Sequence, residues 1–204
     1  MIKYTCSLGT CCHSSNLLKM NNLKKESYPF DWIFSDHKMI INILENNFIE
    51  FLNKENYVDI NRNKKCGHKL YHEKLFWHHN PRINEDDYNY FIRCVERFKN
   101  LMKSDDMKLF IYLVKDTHII NEIDFIENVE TLNSKLNTFI KNYIVLAIYI
   151  NPNKMNNDHK FIKSNNIDYL YIDVLSCSDG IKFTNDIDND YINNIIKSNY
   201  EFNL

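Results

Sequence analysis

Apolar residues in the second half of the chain follow two rhythms. KLFIYLV (108–114), YIVLAIYI (143–150) and IDYLYIDV (167–174) are short apolar runs, the pattern of strands covered on both faces of a sheet. Between the first two, Ile126, Val129, Leu132, Leu136, Phe139 and Ile140 recur at helical spacing, which predicts a helix within Ile123 to Asn142. A short helix is expected between the second and third runs, and a further helix over Tyr191 to Ser198. Strands alternating with helices predict a parallel sheet with crossovers. The first half opens with IKYTCSL, a strand, followed by Gly9 and a short helical stretch around Asn16 to Met20. A helix from His37 to Asn53 points Ile40, Leu44, Phe48 and Phe51 or Leu52 inward, and another from Glu85 to Lys103 uses Tyr88, Phe91, Val95, Phe98 and Met102. Residues 54–84 are polar, histidine-rich and without period, an irregular insertion of the kind that carries function. With no linker and no repeat, the chain reads as a single α/β domain over 1–204: three layers, a mostly parallel sheet flanked by helices.

Composition narrows the function classes. The 204 residues include only 3 Gly and 3 Pro, where average usage predicts roughly 14 and 10. Gly9, Gly67 and Gly180 are too far apart to build a glycine-rich phosphate loop. Twenty-five basic against 27 acidic residues give a weak overall field, so no general nucleic-acid or membrane footprint is expected. Ala147 is the only alanine while Asn, Ile, Lys and Tyr abound, the codon bias of an AT-rich genome. The N-terminus lacks the apolar core of a secretion signal. An intracellular, reducing, cytoplasmic setting follows, in which the six cysteines are packing groups, ligands or reactive thiols.

Three stretches could carry chemistry. In SLGTCCH, Cys11 and Cys12 stand where a strand gives way to a helix, and a thiol at a helix N-terminus is favoured as thiolate; two small buried hydrophobes at a tight turn would have the same letters. In LFWHHNP, His78 and His79 could activate a thiol or simply occupy a surface loop. In SYPFDW, Asp31 could orient a histidine or cap the next helix. Arg93 and Arg97, four apart on one helix, could together hold an anionic substrate or pair with neighbouring acids. Asp173 and Asp179 bracket the end of the last strand, where open sheets bind ligands, although Asp179-Gly180 is also a turn. Cys66, His68, His72, His78 and His79 include no C-x-x-C pair and match no zinc spacing, so no metal or other cofactor is expected.

Taken in order, SLGTCC, SYPFDWIFSD, IINILENNFIEFL, FWHHNP and YFIRCVERFKNLM before KLFIYL resemble a family of bacterial and viral proteins labelled papain-like cysteine peptidases, a domain of unknown function. The similarity spans about the first 115 residues. It implies a nucleophile at Cys12, a histidine at His78, with His79 where the family often has aspartate, an aspartate at Asp31 and a basic helix at Arg93 and Arg97, interrupted by Cys94. Papain-like folds are α+β with a mainly antiparallel sheet, whereas the periodicity here predicts a parallel one, and we follow the periodicity. The leading functional expectation is a cysteine-dependent hydrolase or transferase working by acyl chemistry on a peptide or small molecule. The alternatives are a transferase binding a nucleotide or nucleotide-sugar in a Rossmann-like crevice, and a zinc-bearing binding module.

Overall fold

A computed structural model describes residues 1–60, 65–115 and 120–203. The first half contains β1 (Tyr4–Gly9), α1 (Cys12–Met20), α2 (His37–Glu45), α3 (Ile49–Leu52), β2 (Tyr57–Ile60), β3 (Lys65–His68) and α4 (Glu85–Lys103). The second contains β4 (Lys108–Val114), α5 (Glu122–Phe139), β5 (Tyr143–Asn151), β6 (Asp158–Ser164), β7 (Ile167–Asp173) and α6 (Asp186–Asn199). Five strands form one sheet in the order β1-β4-β5-β7-β6, parallel throughout except for the antiparallel edge strand β6. Alternate side chains of β4, β5 and β7 feed two cores. Phe110, Tyr112, Val145, Ala147 and Tyr169 pack toward α2 to α5, while Leu109, Ile111, Leu146, Ile148 and Leu170 pack toward α1 and α6. The protein is thus the expected three-layer α/β fold with a mostly parallel sheet, and the central strands carry polar residues only at or near their ends because both their faces are covered.

The structure departs from the sequence expectations in four places. The first is the expected 37–53 helix, which breaks after Glu45. Asn47 (φ 54°) and Phe48 (φ 65°) turn left-handed, and their N–H groups bond Leu44 O at 3.1 Å and Ile43 O at 2.9 Å, the paired bonds of a Schellman cap. Asn22 closes α1 in the same way, with Asn22 N–H to Lys19 O at 3.1 Å and Leu23 N–H to Leu18 O at 2.9 Å. In a chain so poor in glycine, asparagine takes the left-handed caps, since its short polar side chain tolerates that conformation better than others.

The second departure is β6, which replaces the short helix expected between β5 and β7. DHKFIKS is almost wholly exposed, and an edge strand with little to bury has no hydrophobic period to read. Third, the 54–84 insertion is more regular than expected, because β2 and β3 pair as an antiparallel hairpin. Gly67 is required there, since a side chain at that position would collide with the backbone of Glu73. Fourth, α1 begins at Cys12 and α6 at Asp186, both earlier than their apolar residues suggest.

Candidate active site

The end of β1 builds the first part of the site. Gly9, at φ 98°, turns the chain, Cys11 serves as N-cap of α1, and Cys12 is its first helical residue. The Ser14 hydroxyl donates to Cys11 O at 3.0 Å and lies 2.6 Å from the Ser7 hydroxyl, tying the helix start to the strand. Cys12, Ser15 and Lys19 are spaced to share one face of α1. The helix N-terminus was expected to favour thiolate at Cys12, but burial outweighs it. The thiol is pushed up to about 11, chiefly by burial and then by Cys11 and the charge of Asp31, against the pull of a backbone N–H.

Asp31 lies in the loop facing α1 and is 1% exposed. Its Oδ2 accepts from the Lys24 ammonium and, at 2.7 Å, from Tyr28 N–H. Its Oδ1 takes no hydrogen bond among the described residues. Burial raises the carboxyl above its ordinary value, and Lys24 is the main influence in the opposite direction. Lys24 also donates to Ser15 Oγ at 3.0 Å and lies 5.5 Å from the Trp32 ring centre. The partner of Asp31 is therefore an ammonium group rather than an imidazole, and the pair pins the 24–32 loop to α1.

The two histidines have different surroundings. His78 is exposed, with its ring edge-on to Trp32 at 6.4 Å, and burial, then His79 and Lys65, lower its basicity. His79 is held: its Nδ1 lies 2.9 Å from Asp87 Oδ1 and its ring stacks on Tyr90 at 4.7 Å. Asp87 sits in the first turn of α4 and its other oxygen accepts Asn80 N–H at 2.7 Å, so the carboxylate is fixed before it meets the imidazole. His78, His79, Asn80 and Asp87 line one cavity of about 350 Å³. Among the described residues neither imidazole hydrogen-bonds Cys12.

The remaining candidates lie in other places. Arg93 and Arg97 line a neighbouring cavity with Trp32 and Tyr90. Asp179 Oδ1 accepts the N–H groups of Ile181 and Lys182 at 2.7 and 2.8 Å, which holds its carboxyl below the usual range and makes it a turn residue beside His13. Asp173 ends β7. Among the described residues no three His, Cys, Asp or Glu side chains gather as a metal site, and His68 and His72 are engaged with Glu50 O and Lys74 N–H. No helix of the described residues is long and apolar enough to cross a membrane.

Sequence reasoning missed Lys24, Tyr90 and Asp87. Of these only Asp87 left a signal, as one of three acids opening a helix just after the histidine pair. It also missed a cleft of about 400 Å³ by Thr10, Cys11 and Val114, at the carboxyl ends of β1 and β4, which His37 and His72 help to line.

A family model described as "Putative papain-like cysteine peptidase" matches residues 3–151. The chain is also 28% identical over 178 residues to "Uncharacterized protein R408" of Acanthamoeba polyphaga mimivirus, an alignment covering 72% of this chain and 78% of that protein. No solved structure matches it.

Proposed function

The chain belongs to this papain-like cysteine peptidase family, and we propose that it is a cysteine-dependent hydrolase whose nucleophile is Cys12 and whose base is His79, oriented by Asp87. The observation that carries the reading is the Asp87–His79 pair at 2.9 Å, set against the aromatic wall of Trp32 and Tyr90 that continues from the Asp31 loop on α1. A carboxylate on Nδ1 leaves Nε2 as the nitrogen that accepts a proton, the geometry by which an imidazole is prepared for general-base work. His78, with no carboxylate partner among the described residues, has a supporting place at the cavity edge. Asp31 positions the loop through Lys24.

A thiol near 11 carries about one part thiolate in ten thousand at neutral pH, so attack is coupled to proton transfer. His79 takes the proton as Sγ bonds to the acyl carbon; the bond to the leaving group breaks, and the imidazolium returns the proton to that group. Water then hydrolyses the thioester by the same base. Backbone N–H groups in the first turn of α1 are the donors available to the oxyanion. Catalytic hydrogen bonds lengthened in a free enzyme tighten when substrate enters.

The test combines turnover of an activated ester such as p-nitrophenyl acetate with iodoacetamide labelling read peptide by peptide. Site resolution matters because Cys177 is exposed and will label in every variant. Cys12→Ala should abolish turnover, while His79→Asn and Asp87→Asn should each lower it at least a hundredfold, His78→Asn by less than tenfold. Full turnover in Cys12→Ala would sink the proposal, and a larger loss in His78→Asn than in His79→Asn would reassign the base.

A further inference from the structure

The cavity beside the proposed active site has an electrostatic character unlike that of the whole molecule. The chain is slightly acidic, with net charge −2. Yet this space of about 640 Å³ is lined by Lys19, Lys24 and Lys25 on one side, Arg93 and Arg97 on the other, and only Glu26 as an acid. Lys24 is committed to Asp31. The other four cations form no ion pair among the described residues, whereas Lys54, Arg82, Lys135 and Lys182 are each paired with a carboxylate. Arg93 and Arg97 are one helical turn apart, a like-charge spacing that costs helix stability. Arg97 Nη1 donates to Ser27 O at 3.3 Å, which fixes one guanidinium in the wall, while Arg93 is exposed and makes no hydrogen bond among the described residues. Two guanidinium groups in that relation suit the oxygens of a phosphoryl group, which each can bind through paired N–H donors. Trp32 and Tyr90 complete the lining with flat aromatic surface.

We propose that this cavity binds a phosphorylated small molecule, its phosphoryl oxygens held by Arg93, Arg97 and Lys25 and its ring resting on Trp32 and Tyr90. Neither Cys12 nor His79 lines the cavity, so binding stands apart from the acyl chemistry. The walls are nonetheless shared: Trp32 also touches His78 and Tyr90 also stacks on His79. A molecule bound there would sit at the threshold of the proposed site.

Trp32 reports the event directly. The chain has two tryptophans, and a Trp77→Phe background leaves Trp32 as the only one. In that background, inorganic pyrophosphate should raise Tm, and adenosine diphosphate should quench Trp32 fluorescence with at least tenfold tighter binding than pyrophosphate. Cys12→Ala should bind both unchanged. Arg93→Gln, at an exposed residue, should raise Kd about tenfold, and adding Arg97→Gln should raise it further, with circular dichroism confirming an intact fold. The proposal is overturned by the absence of quenching and Tm shift at millimolar ligand, by a Kd indifferent to Arg93→Gln, or by quenching with single-stranded DNA but not with the diphosphate.

Discussion

Replacing Lys24 with methionine keeps most of the side-chain volume and removes only the ammonium group that faces Asp31. The two side chains are 11% and 1% exposed, so the charge left behind cannot turn to water. Among the described residues its remaining support is one bond from Tyr28 N–H and a weaker pull from the Ser15 hydroxyl, since Oδ1 takes no hydrogen bond. Removing one partner of a buried ion pair costs about 3–5 kcal/mol, most of it the desolvation of the stranded charge. For a chain of this length that corresponds to a fall in Tm of roughly 10 °C. The pH dependence identifies the cause. Burial already raises the Asp31 carboxyl and Lys24 opposes it, so the variant's carboxyl rises further above its unfolded value. A carboxyl raised in the folded state makes folding costly above that value and relieves the cost below it. The stability gap between wild type and Lys24→Met, measured by urea unfolding at pH 7 and again near pH 4.5, should therefore narrow in acid. Asp31→Asn in the same background should recover more than half of the loss. A gap under about 1 kcal/mol, a gap independent of pH, or one undiminished in the double variant would refute the assignment of Asp31 as a buried charge that depends on Lys24.

Two further predictions concern the scaffold. His13 is buried with its Nδ1 2.8 Å from Ser178 Oγ, and burial lowers its basicity to about 4. The unfolded chain, with an ordinary histidine near 6.5, binds the proton first, so this group's stabilisation is complete above pH 6.5 and disappears as pH falls through 4, about 3 kcal/mol in all. His13→Gln should remove that part of the acid sensitivity in a stability–pH profile, and a profile of unchanged slope would contradict it. Among glycines, Gly67→Ala should cost more than Gly180→Ala in urea unfolding. At Gly67 a new Cβ meets the Glu73 backbone, whereas at Gly180 it meets nothing and only the φ of 99° resists; equal losses would show that the hairpin gives way freely.

The strands and long helices were legible because each is apolar on a fixed period that burial requires, and β4, β5 and β7 carry polar residues only at or near their ends because helices cover both faces of the sheet. β6 was not legible, since its exposed side chains carry no period. Nor was the break after Glu45, which depends on Asn47 accepting a left-handed turn that places Phe48 in the core. The scarcity of glycine proved informative: Gly9 and Gly180 hold positive φ and Gly67 a close backbone approach, while asparagine takes most of the other left-handed positions.

For the site, local order along the chain determined by itself that the Cys11–Cys12 pair stands where a strand gives way to a helix, that a histidine pair follows an aromatic run and that two arginines share a helix face. Which groups meet, and in which protonation state, was decided only in three dimensions. Burial of Cys12 overrides the pull of the helix terminus on its thiol. Lys24 claims Asp31, Asp87 rather than Asp31 reaches an imidazole, and two aromatic residues join the histidine cavity to a basic one. Desolvation and charge pairing act over a few ångströms through space, and the residues they connect are set by packing rather than by spacing along the chain.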